Sequence, residues 1–320
     1  MRERLLGRTK IRVSEIGFGC WPMGGQSYGK VDDGDSLQAL ETAWDSGVTF
    51  FDTADVYGEG HSEELLGQFL KHKRRDLAFI ATKVGWDFYH GGHHKNFGQD
   101  YIRAACEKSL KRLGTETIDL YQLHNPSLEN IQHKEIVGVL ETLKKEGKIR
   151  HIGISVHTET EAFAALQDHR VGAIQLIFNF FDQRMADRVF PEAEKQDVGI
   201  IAREPLASGL LSGKYPPEYM FPKDDHRRRW MPEKRKADWE KLQCFQQALK
   251  GKKISLIKAA LEYLLSFETV STVIPGAKNK TQVLENVSAS LVSQLSPEDI
   301  LLLAKLYSSK DIFRQGLNPQ

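Results

Sequence analysis

Four polar side chains stand where short apolar runs end. Asp52 and Tyr57 lie in Phe51-Asp52-Thr53-Ala54-Asp55-Val56-Tyr57-Gly58, just after a β-type run. Lys83 closes Leu77-Ala78-Phe79-Ile80-Ala81-Thr82-Lys83, and His124 closes Ile118-Asp119-Leu120-Tyr121-Gln122-Leu123-His124. Asp, Tyr, Lys and His together form a proton-relay set. A free phenol has a pKa of about 10, too high to ionise readily at neutral pH. A neighbouring lysine ammonium lowers that value by stabilising the phenolate, and a carboxylate holds the lysine charged and oriented. In this scheme Tyr57 is the general acid, Lys83 and Asp52 tune it, and His124 hydrogen-bonds the substrate oxygen. The set suits delivery of a proton to a carbonyl oxygen while hydride reaches carbon. No side chain supplies hydride, so a nicotinamide cofactor is implied. Singly, each residue has a plainer reading as a cap, a surface charge or a satisfied core histidine. The rival chemistry is a Schiff base on Lys83.

The elements that must position these residues alternate between β-type runs and helical stretches. Strands are expected at 16–20, 48–52, 77–82, 118–123, 149–155, 173–178, 198–202 and 270–274. Helices are expected at 35–45, 62–70 with Ser62 as cap, 99–113, 131–145, from 159, 186–196 and from 281. Arg4-Leu5-Leu6 and Ile11-Arg12-Val13, joined at Gly7-Arg8-Thr9, read as a small hairpin. Eight such units predict an α/β fold: a (β/α)8 TIM barrel, one domain over 1–320, with an N-terminal hairpin and a long loop after strand seven. An open doubly wound sheet also alternates. Here Gly17-Phe18-Gly19 runs into Cys20-Trp21-Pro22, without the third glycine of a dinucleotide fingerprint. Active sites of barrels lie at the C-terminal ends of the strands, where all four residues fall.

Residues 214–253 break the alternation with 12 Lys/Arg against 6 Asp/Glu and the run Arg227-Arg228-Arg229. A charge run usually marks a solvated face. Its place after strand seven favours a lid over an anionic ligand, followed by a helix over 237–249.

The whole chain is nearly neutral: 44 basic against 43 acidic residues in 320, formally +1. That balance argues against wholesale binding to nucleic acid or an acidic membrane. No apolar run approaches the ~20 residues of a membrane span, and the charged opening lacks the apolar stretch of a secretory signal. Cys20, Cys106 and Cys244 are too few and scattered for a disulfide framework or a zinc site, and free thiols fit a cytoplasmic location. His90, His93 and His94 lack carboxylate or cysteine partners at ligand spacing, so they read as a polar loop and no metal is expected.

The sequence resembles the aldo-keto reductase family over essentially its whole length. The resemblance rests on the Asp52–Tyr57 signature, Thr82-Lys83, the Asp119–His124 run, Gly153-Ile154-Ser155, Gln175 with Asn179, Pro205–Tyr215, and Ile274-Pro275-Gly276-Ala277-Lys278 with Gln282, Glu285 and Asn286. It implies that Ser155, Gln175 and Asn179 hold the cofactor carboxamide. Arg203 stands where many members place an aromatic against the nicotinamide, and a planar guanidinium stacks on rings as well. Pro205, Leu206, Ser208, Gly209, Leu211, Gly213 and Lys214 resemble the loop over the pyrophosphate, where glycines let backbone approach phosphate oxygens. Gly276, Lys278, Gln282, Glu285 and Asn286 resemble the segment gripping the adenosine end. Gly276 and Gln282 replace the lysine and arginine that serve the ribose 2′-phosphate in some members, so Lys278 and Lys280 are the substitutes expected to favour NADPH over NADH. Trp21, Trp86 and His124 are expected to line a pocket for a small carbonyl substrate, an aryl or alkyl aldehyde or a sugar, with Phe181 nearby. The reverse reaction, as a sugar or alcohol dehydrogenase, and a nicotinamide-binding sensor without turnover are the alternatives. A monomer or loose homo-oligomer is implied.

Overall fold

The computed structural model describes residues 1–25 and 27–313. Eight parallel strands follow in chain order: β1 (Phe18–Gly19), β2 (Phe50–Asp52), β3 (Phe79–Val84), β4 (Ile118–His124), β5 (Ile149–Ser155), β6 (Val171–Ile177), β7 (Gly199–Arg203) and β8 (Val270–Val273). Each pairs with its neighbours in sequence. The barrel closes where Ile16 bridges Val273 and Gly19 bridges Gly276. Gly19 is needed at that seam, because a Cβ there would lie 2.7 Å from the Ile274 carbonyl oxygen.

Two apolar shells result from the period-two pleat. Outward residues such as Phe51, Ile80, Tyr121 and Leu176 pack under the helices. Inward residues Phe50, Phe79, Ala81, Leu120, Ala173 and Ile201 fill the barrel, with Leu6 and Val13 plugging its bottom. Those last two come from the hairpin Glu3–Leu5/Arg12–Ser14, close to the expected one. The interior is thus a packed layer beneath the functional end, which holds that end rigid.

Several helices differ from expectation. The helix His61–Leu70 starts after Gly60, and Ser62 does not cap it. The Ser62 hydroxyl is buried and donates to the Cys20 carbonyl (3.0 Å), with Thr53 Oγ1 at 2.9 Å. A fully buried hydroxyl has stronger demands than a helix end in contact with water. The stretch 131–145 is two helices, Leu128–Gln132 and Lys134–Lys145, meeting at His133. Ser127 caps the first of them. The 186–196 helix is only Val189–Lys195. In the basic segment the helix begins earlier, at Pro232, and runs to Ala248. Two helices were not expected, Leu256–Leu265 and Pro297–Ser309, each capped by a preceding serine. The first is buried almost all round, with Lys258 and Glu262 as its only charged residues, one turn apart.

Candidate active site

The same alternation that fills the barrel turns polar side chains inward at its top. Along β2, Phe50 faces the interior and Asp52 follows two residues later. Along β3 the order is Phe79, Ala81, Lys83, and along β4 Leu120, Gln122, His124. Gln175 stands in the same way above Ala173 on β6. Strand register sets Lys83 opposite Gln122, and His124 and Gln175 each opposite Ser155.

Four expected residues meet here. The Lys83 ammonium is fully buried and donates to Asp52 Oδ1 (2.6 Å), the Thr53 carbonyl (2.8 Å) and the Tyr57 hydroxyl (3.3 Å). Burial pulls the Lys83 pKa down, but Asp52 and Tyr57 outweigh it and the net direction is up. Lys83 is therefore a held ammonium and not the free amine a Schiff base needs. The Tyr57 phenol goes the opposite way to expectation. Burial raises its pKa, Lys83 pulls against that, and burial wins. Tyr57 thus carries its proton throughout the neutral range. The ring of His124 stands edge-on to Tyr57, centroids 5.8 Å apart. Burial, with Lys83 and Lys95 close by, holds His124 well below its usual value, so its imidazole is neutral. Its Nδ1 is buried with no partner among the described residues, leaving the other nitrogen to the cavity.

Above these residues lies a cavity of about 540 Å³, ample for an extended ligand. Tyr57, Asp52 and His124 form its floor at one end, with Trp21 and Trp86 as walls. Ser155, Gln175, Arg203, Pro205, Leu206, Ser208, Gly209, Lys214, Gly276, Lys278, Gln282 and Asn286 line the rest. Asn179, Leu211, Gly213 and Glu285 do not line it. Asn179 is committed to its own turn: its Oδ1 accepts from Phe181 and Asp182 backbone N–H groups, and its Nδ2 donates to the Glu204 carbonyl. Phe181 packs in the outer core instead.

The loop after β7 has left-handed φ at Glu204, Ala207 and Ser208, as well as at Gly209 and Gly213. Such a run of strained non-glycine residues concentrates at functional sites. Arg203 is held by Glu204 (3.0 Å) and His157 Nδ1 (2.9 Å). Of the arginine run only Arg227 lines the cavity. It pairs with Asp225 (2.6 Å), donates to the Ser208 carbonyl (3.0 Å), and lies among the rings of Tyr28, Tyr215 and Phe221. Arg228 and Arg229 are exposed. The basic segment meets the loop after β1 at Tyr28–Asp225 and at His226–Ser27, and Lys278 donates to the Tyr28 carbonyl from the other side.

Three residues given no role from the sequence also stand here. Gln122 holds Asp52 and was legible from its inward position two residues before His124. Asn125 lines the cavity in a left-handed conformation and accepts from Ser155 Oγ (2.7 Å). Lys95 lies over the Trp86 ring (3.9 Å) and donates to the carbonyls of His124 and Asn125, docking the loop that carries Trp86. Nothing in its sequence surroundings marked it. His90 and His94 face Asp87 and His93 faces Glu59, and the described residues hold no cluster of three metal-ligating side chains.

An α/β barrel with a buried Lys83–Asp52 pair beside Tyr57, at a cavity also lined by Arg203, Lys214, Arg227 and Lys278, fits an oxidoreductase. The comparisons place the chain in such a family. A family model described as Aldo/keto reductase family matches residues 15–308, and the chain belongs to that family. It is 32% identical to "Uncharacterized oxidoreductase YqkF" of Bacillus subtilis (strain 168), over 98% of this chain and 99% of that one. Among solved structures, aldo-keto reductase AKR11C1 from Bacillus halodurans (holo form) superposes with TM-score 0.80, at 31% identity and 96% coverage of both chains. Glycerol dehydrogenase AKR11B4 from Gluconobacter oxydans gives TM-score 0.82 at 29% identity, covering 99% and 97%. The protein is therefore an enzyme, an NAD(P)H-dependent oxidoreductase. No helix among the described residues is long and apolar enough to cross a membrane.

The donor set fits a nicotinamide dinucleotide. Lys214, Lys278 and Arg227 bring positive charge to the distal cleft, beside Ser208 and Gly209. Near Tyr57, Gln175 spends its Nε2 within the protein, on Asp52 and Gln122, so its Oε1 is the atom left for a carboxamide N–H.

Proposed function

We propose that the protein reduces an aldehyde or ketone to the alcohol with NADPH, Tyr57 donating the proton. The observation that carries this reading is the Lys83 ammonium, held on Asp52 and 3.3 Å from the Tyr57 hydroxyl at the floor of the cavity. A bound reduced nicotinamide supplies the hydride. The carbonyl oxygen takes hydrogen bonds from the Tyr57 hydroxyl and from neutral His124. As charge builds on that oxygen, the Tyr57 proton crosses to it, and the Lys83 ammonium stabilises the phenolate left behind. The raised Tyr57 pKa keeps the proton in place until then.

Ser155, Gln175 and Arg203 hold the nicotinamide end, with the Arg203 guanidinium against the ring. Asn125 supplies the amide N–H for the carboxamide oxygen, a role first expected of Asn179. Ser208, Gly209, Lys214 and Arg227 serve the pyrophosphate. Lys278, Gln282 and Asn286 serve the adenosine end, with exposed Lys280 beside the 2′-phosphate. Trp21 and Trp86 flank the substrate.

The same residues run the reverse oxidation, with Tyr57 phenolate as base. The solved neighbour named as a glycerol dehydrogenase supports keeping that direction open. An intact relay opposes a sensor without turnover. The three free thiols fit a reducing cytosol.

Titration with NADPH and NADH, followed by tryptophan fluorescence, and then an aldehyde and ketone panel tests this. Saturable quenching, tighter for NADPH, with oxidation of NADPH on addition of an aldehyde, is expected. A folded protein that binds neither dinucleotide would overturn the reading.

A further inference from the structure

We propose that Gln122 is a positioning residue for proton delivery: its side-chain amide fixes the Asp52 carboxylate and through it sets the acidity of Tyr57. The inference rests on the relay assigned above. Gln122 is fully buried and does not line the cavity, so it touches neither substrate nor cofactor. Its Nε2 donates to Asp52 Oδ2 (3.2 Å). Gln175 Nε2 donates to the same oxygen (2.7 Å) and to Gln122 Oε1 (3.3 Å). Asp52 therefore gives one oxygen to Lys83 and has the other fixed by two amides.

Inside a barrel an apolar side chain is the ordinary filling, and Leu120 supplies it two residues earlier. A buried primary amide is costly unless its groups are paired. The fold also makes room for this one. Gly153 on β5 lies beside it, and a Cβ there would stand 2.9 Å from Gln122 Cγ. A Cβ at Gly153 would also meet the Ala173 carbonyl and Leu120 Cδ1 (3.2 Å each), but Gln122 most tightly.

The electrostatic consequence has a definite sign. Amide donors disperse the Asp52 charge. With one donor gone, more negative potential reaches Tyr57 through Lys83, the phenolate is less stabilised, and the phenol becomes a weaker acid. Gln122→Met keeps length and packing but removes both polar groups. In NADPH-dependent reduction of 4-nitrobenzaldehyde, the alkaline limb of the kcat profile should move up by about one pH unit. At neutral pH kcat should fall roughly three- to tenfold, with KM and the NADPH dissociation constant unchanged. Ultraviolet difference titration of tyrosinate, with Tyr57→Phe as the blank, reads the same shift without turnover.

Should Gln122→Met fail to fold, Gly153→Ala displaces the amide without deleting it, and a shift in the same direction is expected. A folded variant whose pH profile and tyrosinate titration superimpose on the parent overturns the proposal. That outcome is distinct from failure of the relay itself, which would show as wild-type turnover by Tyr57→Phe.

Discussion

The Lys83 ammonium lies between Asp52 Oδ1 at 2.6 Å and the Tyr57 hydroxyl at 3.3 Å, sealed from solvent. Two strands and the loop after β2 are needed to assemble that contact, and each contributes one partner. The buried Lys83–Asp52 pair is also a structural liability. A buried charge is tolerable only while its counter-charge stays.

Lys83→Met should therefore be strongly destabilising. Removing one member of a buried pair costs roughly 3–5 kcal/mol, because Asp52 is left with amide donors alone. Adding Asp52→Asn removes the stranded charge and should recover part of the loss. Urea unfolding of parent, single and double variants checks this. A double variant no more stable than Lys83→Met would show that the stranded carboxylate is not the cause.

The fold was largely readable from sequence, and the reason is periodicity. Eight apolar β-type runs alternating with helical stretches allow few architectures other than a closed barrel. Asp52, Lys83 and His124 stood out because each lies at or next to the end of an apolar strand, and Tyr57 because it follows Asp52 by five residues. What was missed has physical causes too. The helix Leu256–Leu265 is buried on nearly all sides, and its polar stripe is only Lys258 and Glu262, one turn apart. The Ser62 hydroxyl turned inward because Thr53 and the Cys20 carbonyl offered buried partners. The sign of the Tyr57 shift depends on burial, which spacing does not encode. Asn179 lies outside the cavity lining, its hydrogen bonds going to Phe181, Asp182 and Glu204, whereas Asn125 lines it.

Discrimination between the two nicotinamide dinucleotides should reside at the start of the helix Lys280–Val287. Lys278 also fastens the Tyr28 carbonyl, so losing it loosens the loop over either dinucleotide. Lys280 has no such second duty. Lys278→Ala with Lys280→Ala should weaken NADPH roughly tenfold, and NADH distinctly less. Fluorescence titration of both measures it, and equal weakening would remove these lysines from the 2′-phosphate.

Asp55 presents a pH effect with a clear direction. Its carboxyl is buried near Glu63, and neither oxygen has a side-chain partner among the described residues. Burial, then Glu63, raise its pKa well above the ordinary value, against the pull of Arg112. The folded protein keeps this proton, whereas the unfolded chain releases it near pH ~4. Stability from this group is thus fully present below pH ~4 and declines as pH rises toward the folded value. Asp55→Asn removes that decline. The variant's melting temperature relative to the parent should increase between about pH 5 and pH 8, by about 2 °C for each kcal/mol. A difference that stays constant over that range would mean the carboxyl is not held protonated.

In the proposed mechanism Tyr57 hands its proton to a carbonyl oxygen and does nothing for the cofactor. Tyr57→Phe isolates that one atom. Stopped-flow measurement of NADPH oxidation with 4-nitrobenzaldehyde, beside an NADPH titration of the same variant, is the most direct test. A fall in turnover of roughly 10²–10⁴-fold is expected, with NADPH binding unchanged. A variant that turns over at the parent rate would contradict it.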